Sequence, residues 1–261
     1  MDINPSVFAH MMTSSLPIGI NHLEQVIDQR FKLLGSLPEE EYATLLFEHA
    51  THVLCAVNNA LITLSHTNHV HNGSQQTVNV TSNGIAGLLR VSLEGMALFL
   101  WLSEVNEPSV LRARGFGIHF KQVEQASKYY KQLGDMDATE KFTELFNGEL
   151  AFGIKNNFLR ERKDKPGRYE CFGEAQVPDT TSLCTKIQIP PEIVSPEIVA
   201  IYNGISNAGF LYRWLSGNSH GMYWVNNFED GPDGKQQSKV VYWLINLSLG
   251  TILQKALLLG V

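Results

Sequence analysis

The chain has 261 residues, 44% apolar and 18% charged, enough to bury one large core in a single all-helical domain. A formal net charge of -6 excludes broad electrostatic adhesion to nucleic acid, which needs surplus Lys and Arg to displace counterions, so any such contact must be local. Three cysteines at wide spacing, Cys55, Cys171 and Cys184, suit neither a disulfide framework nor a zinc knuckle and point to a reducing cytoplasm.

Apolar residues recur at three- and four-residue spacing through most of the chain, and period-two alternation is scarce, so the expected class is an all-α multi-helix bundle. The opening "MDINPSVFAHMMTSS" has no basic segment leading into an apolar one, so no secretory leader is expected, and the core bundle is expected from about residue 37. Ser36, with Glu39 three positions on, reads as the cap of a helix running to about Ser65. A second helix is expected over 82–104, and Pro108 opens a third that reaches about Leu133. Asp137 with Glu140 reads as the capping box of a fourth, fading near Arg162. From Lys163 to Ser195 six prolines and glycines break the pattern, predicting one long irregular loop before the penultimate helix.

Ser195-Pro196-Glu197 then opens a helix whose apolar stripe would be Ile198, Ile201, Tyr202, Ile205, Ala208, Tyr212 and Leu215. The last segment, residues 240–261, carries Lys255 as its only charge and is long enough to anchor in a membrane, but Asn246, Ser248, Gln254 and Lys255 interrupt it. A helix at the centre of a bundle explains it as well and is the favoured reading, with a tail-anchored membrane protein as the weaker alternative.

Three constellations carry chemistry. The stretch "YRWLSGNSHGMYW", 212–224, sets Arg213 and His220 seven positions apart, which on a continuous helix is a turn of about 700° and a rise of about 10 Å, nearly the same face. Ser216 and Asn218 lie between them. A guanidinium holds phosphate through paired, charge-assisted hydrogen bonds, and an imidazole moves a proton near neutral pH. The same two residues can equally cap a helix end and pack as a hydrogen-bonded side chain. Arg90 and Glu94, one turn apart in "IAGLLRVSLEGMALFLWL", form either a structural ion pair or part of a cavity lining. Arg112 and Arg114 either reach the same pocket or solvate a helix start. Residues 155–168 hold six basic side chains (Lys155, Arg160, Arg162, Lys163, Lys165, Arg168) against two acidic ones, the best phosphate-backbone footprint in the chain, which a solvated helix end followed by a loop explains equally. Phe158, Tyr169 and Phe172 are interleaved with them and offer stacking surfaces.

His49, His52, His66, His69 and His71 crowd one region, but no cysteine pair or HExxH accompanies them and no metal site is expected. No glycine-rich phosphate loop or nucleophile elbow is present, so no nucleotide cofactor, and no cofactor of any kind, is expected.

The Arg213-x6-His220 pattern resembles the R-x4-6-H signature of HEPN domains, helical bundles that include metal-independent RNases. The same string, together with "SNGIAGLLRVSLEGMALFLWLSEV" and "LRARGF", is similar to a group of bacterial helical proteins related to that superfamily. The resemblance implies an endoribonuclease, with Arg213 and His220 catalytic, Glu94 orienting the pair from a neighbouring helix, RNA as partner, and a homodimer that pairs its clefts. Two departures are Trp214, where a polar residue usually follows the arginine, and Gly217-Asn218, which weaken helix. The alternative is a non-catalytic helical binding or scaffold protein in which these residues hold the fold.

Overall fold

The computed structural model describes residues 10–37, 42–72, 82–105, 107–190, 207–219 and 235–260. They form an all-α multi-helix bundle: α1 (Leu16–Leu34), α2 (Tyr42–Asn72), α3 (Ser82–Ser103), α4 (Pro108–Leu133), α5 (Met136–Lys155), a β1–β2 hairpin (Leu159–Glu161, Tyr169–Cys171), α6 (Thr180–Thr185), α7 (Ala208–Ser219) and α8 (Lys235–Leu257). Two compact units emerge. The first comprises Met1–Lys32, Thr51–Leu100 and Asp179–Val261, the second Leu33–Ala50 and Trp101–Pro178.

In the first unit α1 is an element the turn signals do not announce. Leu16, Ile20, Leu23 and Ile27 repeat at three- and four-residue steps and all are buried. Pro17 has no N–H to give to the preceding turn, and that turn, Met11–Ser15, widens to π geometry, with the Leu16 N–H bonding the Met11 carbonyl. Gly19 lets α8 approach α1: a Cβ there would stand 2.5 Å from Leu253 Cδ2. Gly95 does the same between α3 and α2, where a Cβ would meet Val57 Cγ2 at 2.5 Å.

The described side chains of α8 match the central-helix expectation. Leu244, Leu247, Leu249, Ile252 and Ala256 are buried, and the hydroxyls of Ser248 and Thr251 are also buried but donate to the Leu244 and Leu247 carbonyls at 2.7 Å. Back-bonding of this kind lets a polar-interrupted helix sit in a core. Gly84–Ser103 of α3 is long and apolar enough to cross a membrane, and half of that stretch is buried inside the fold.

In the second unit α4 starts at Pro108, as the sequence predicts, and stops at Gly134, whose φ of 73° is the left-handed conformation that closes a helix. The cap of α5 is a correction. Asp135, not Asp137, accepts from the Ala138 N–H at 3.0 Å, and α5 ends at Lys155 rather than near Arg162. Ser36 is another correction, since it closes α1 by donating to the Leu33 carbonyl at 2.7 Å; Pro38 and Glu39 lie outside the described residues.

Phe116, Phe120, Ala113, Leu159 and Ala175 form the core of this unit, ringed by Tyr42, Phe146, Phe152, Phe158 and Tyr169. Phe116 meets Phe120, Phe152, Phe158 and Tyr42 at centroid distances of 5.2 to 5.8 Å. Burying one such ring contributes roughly 1.5–3 kcal/mol. Gly115 and Gly117 bring α4 close to its neighbours, because a Cβ at either would collide with the carbonyl of Tyr42 or of Ala175.

The segment after residue 158 is more ordered than its prolines and glycines suggest. Leu159 pairs with Cys171, Arg160 with Glu170 and Glu161 with Tyr169, and the short helix α6 follows, capped by Asp179 on the Ser182 N–H. The hairpin escapes periodicity analysis because three residues per strand are too few to show alternation.

Candidate functional site

Helix α7 carries the arginine of the stretch 212–224. It continues through Gly217 and Asn218 to Ser219, so the expected weak point does not end it. Its buried stripe is Ala208, Leu211, Trp214 and Leu215, a rotation from the expected one: Leu211 is fully buried and Tyr212 only half-buried. Residues 198–205 lie outside the described residues. Trp214 belongs to this stripe, which accounts for an aromatic side chain beside the arginine. Arg213 points the other way and is exposed, and among the described residues it forms no ion pair. Ser216 is half-buried on the same helix. His220 and the side chain of Asn218 lie outside the described residues.

Next to Arg213 in sequence, Tyr212 joins α7 to α3. Arg90 and Glu94 pair on α3 as their spacing predicts, Nε to Oε1 at 3.0 Å, each about a quarter exposed at 24% and 29%. The Arg90 guanidinium also lies 5.8 Å from the Tyr212 ring centroid. Tyr212 shares hydrogen bonds with both, and its phenol is raised above its ordinary pKa by burial first and by the Glu94 carboxylate second. Burial works to lower the Arg90 pKa, but Glu94 and Tyr212 outweigh it and keep the guanidinium charged. The three side chains therefore form one polar cluster where α7 meets α3. Cys184, fully buried, is pushed up to about 12 by burial and the nearby Glu94 and Asp179 charges, so its thiol is not a nucleophile at neutral pH.

The other arginines of the resembling segments are engaged within the second unit. Arg114 is buried: Nη1 donates to the Trp101 carbonyl, Nε and Nη2 donate to Glu174 Oε2 at 3.3 and 3.2 Å, and the guanidinium covers the Trp101 ring at 4.5 Å. Arg112 is exposed and lies 5.5 Å from the Phe152 ring centroid. Neither merely solvates a helix start.

The six basic residues of 155–168 divide in two. Arg160 pairs with Glu170 at 2.9 Å, and Arg162 takes Asp164 through two bonds of 3.0 and 2.9 Å. Lys155, Lys163, Lys165 and Arg168 are exposed and form no ion pair among the described residues. The interleaved aromatics are a correction. Phe158 and Tyr169 are half-buried against the Phe116 core, and Phe172 is half-buried with the Arg160 guanidinium 5.8 Å from its ring, so none stands out as a fully exposed stacking platform.

One polar cluster has no signature in the sequence. Glu149 accepts the Tyr42 hydroxyl at 2.7 Å and faces His119 Nε2 at 3.3 Å, within the aromatic core of the second unit. These residues lie up to 107 positions apart, and no local spacing announces them. Of the histidines, His49 bonds Gln122 at 3.0 Å, His52 meets the Phe31 ring edge-on at 5.9 Å and His66 is exposed, while the side chains of His69 and His71 lie outside the described residues. Among the described residues no three His, Cys, Asp or Glu side chains are grouped to hold a metal ion. Comparison with protein-family models, with curated proteins and with solved structures returned no match, so the likeness to HEPN domains stands on the residues of this chain alone.

Proposed function

We propose that the chain is a metal-independent endoribonuclease of HEPN type, with Arg213 and His220 as its catalytic pair. His220 takes the proton of a ribose 2'-hydroxyl, whose oxygen attacks the adjacent phosphorus. The 5'-oxygen leaves with the bonding pair and is protonated from solvent, giving a 2',3'-cyclic phosphate and a 5'-hydroxyl. Arg213 binds the non-bridging oxygens as their charge grows. Glu94 acts through Tyr212 as a positioning residue for the helix that carries Arg213. RNA is the partner, a homodimer the working assembly and the cytoplasm its setting.

The observation that carries this reading is the outward, exposed Arg213 on a helix that persists past Gly217, beside a tyrosine locked to α3. A binding role without cleavage is favoured by one different feature: Glu94 already bonds Arg90 and Tyr212, leaving less of its carboxylate to orient an imidazole. Incubation of purified chain with total RNA in EDTA separates the two. Cleavage that falls by about 100-fold or more in both Arg213→Ala and His220→Ala supports the nuclease. Equal cleavage in wild type and both variants removes the pair from the mechanism, and RNA retention without any cleavage supports the binding role.

A further inference from the structure

The β1–β2 hairpin ends in a hydrogen-bonded, cationic tip whose neighbouring aromatic rings are half-buried. Its backbone is closed by Arg162 N–H to the Arg168 carbonyl at 2.7 Å, by Lys165 N–H to the Arg162 carbonyl at 3.3 Å and by Arg168 N–H to the Lys165 carbonyl at 3.1 Å. Gly167 takes a φ of 78° and donates its N–H to Glu161 Oε1 at 2.6 Å. That fixed turn projects Lys163, Lys165 and Arg168 into solvent, all exposed and outside the ion pairs that occupy Arg160 and Arg162. An unpaired strand is held by stacking its bases on aromatic side chains, each stack contributing about 1–3 kcal/mol. Here Phe158 and Tyr169 are half-buried against the Phe116 core and Phe172 is half-buried beside Arg160, so only part of each ring is left for stacking. A paired RNA asks for something else, phosphate contacts at fixed spacing, since its bases are stacked on one another and its shape is what proteins read.

We infer that the hairpin tip grips the phosphate backbone of double-stranded RNA, making paired RNA the class of substrate bound by this chain. The inference rests on the nuclease reading only in taking RNA as the ligand. The surplus is carried by three side chains on one turn, which reconciles an acidic chain with an RNA partner through local contact.

The test is fluorescence anisotropy on the full chain with a 20-base-pair RNA duplex and with one of its strands alone, across a salt series. Duplex binding at least tenfold tighter than strand binding is expected. In Lys163→Ala/Lys165→Ala/Arg168→Ala the slope of log affinity against log salt should flatten by about 2 to 3, close to 0.9 for each phosphate that is no longer neutralised. Asp164→Asn, which removes an acidic charge from the tip and leaves Arg162 only its longer, 3.9 Å approach to Glu170, should tighten duplex binding. Equal or tighter binding of the single strand, a slope unmoved in the triple variant, or binding to phosphatidylserine vesicles without binding to RNA would each overturn the inference. Duplex binding by wild type with no cleavage in the EDTA assay leaves the grip standing and removes the nuclease. Cleavage with no preference for duplex does the reverse.

Discussion

Arg114 on α4 and Arg213 on α7 come from two stretches that resemble the same family, yet they live under opposite conditions. Arg114 has its guanidinium inside the second unit, where one carbonyl, one carboxylate and one indole face take up its donors and its charge. Arg213 stands on the outer side of a helix whose inner side is packed with Leu211, Trp214 and Leu215. A buried cation must be matched because desolvation costs more than an isolated contact returns, whereas an exposed one keeps its donors for whatever anion arrives. The same residue type is therefore enclosed and matched in one place and exposed in the other, and burial is what separates them.

Substitutions at the two places should break different things. The largest effect is expected at α7: Arg213→Ala lowers RNA cleavage about 100-fold or more while leaving the thermal midpoint nearly unchanged, as read from gel-based cleavage rates beside a melting curve. A lowered midpoint with unchanged cleavage would reverse the comparison. Next comes Gly115→Ala, which drives a methyl into the Tyr42 carbonyl and should destabilise the second unit by about 3 kcal/mol. Two buried or half-buried thiols make the effect local to measure, because Cys171, pushed up to about 11 by burial and by Glu124, reports on the second unit and Cys184 on the first. Alkylation of Cys171 should accelerate in this variant while that of Cys184 does not.

Arg114→Met follows, at about 2 kcal/mol, since it leaves the Trp101 carbonyl without its donor but frees a Glu174 that is already 55% exposed. Urea unfolding of wild type and variant measures it. Tyr42→Phe should cost about 1 kcal/mol for the missing bond to Glu149. Burial, then Glu149, raises the Tyr42 pKa above its ordinary value of 10.0, so the folded state favours the neutral phenol. That contribution is complete below pH 10 and declines as pH rises beyond it, so wild type should lose stability at alkaline pH faster than Tyr42→Phe. The smallest effect is at Asp179, whose carboxylate is held below its ordinary pKa by Ser182 at the start of α6. Its contribution is present above pH 4 and declines as pH falls through the lowered value, so melting curves of wild type and Asp179→Ala should converge in acid.

Much of the helical frame is written locally. Pro108 and Gly134 bracket α4, the apolar run from Ser82 defines α3 to within a residue, and the four-residue step from Arg90 to Glu94 is an ion pair. Each of these depends on neighbours within one or two turns, which a sequence displays directly. Signals that compete locally are harder to read: Ser36 sits before one helix but serves the end of another, and Asp135 takes the cap that Asp137 also offers. The periodic stripe of α1 is present in the sequence, but no cap marks where that helix starts.

The sequence by itself determined an all-α chain, the place of most of its helices, and the types of side chain available for phosphate chemistry. Only the tertiary structure decided that Arg114 is enclosed and Arg213 exposed, that Tyr42, His119 and Glu149 meet, and that Phe158 and Tyr169 beside the basic hairpin pack against the aromatic core. The reason is range. Helix formation is settled by contacts a few residues apart, whereas burial is settled by which distant surface covers a side chain, and no spacing along the chain records that.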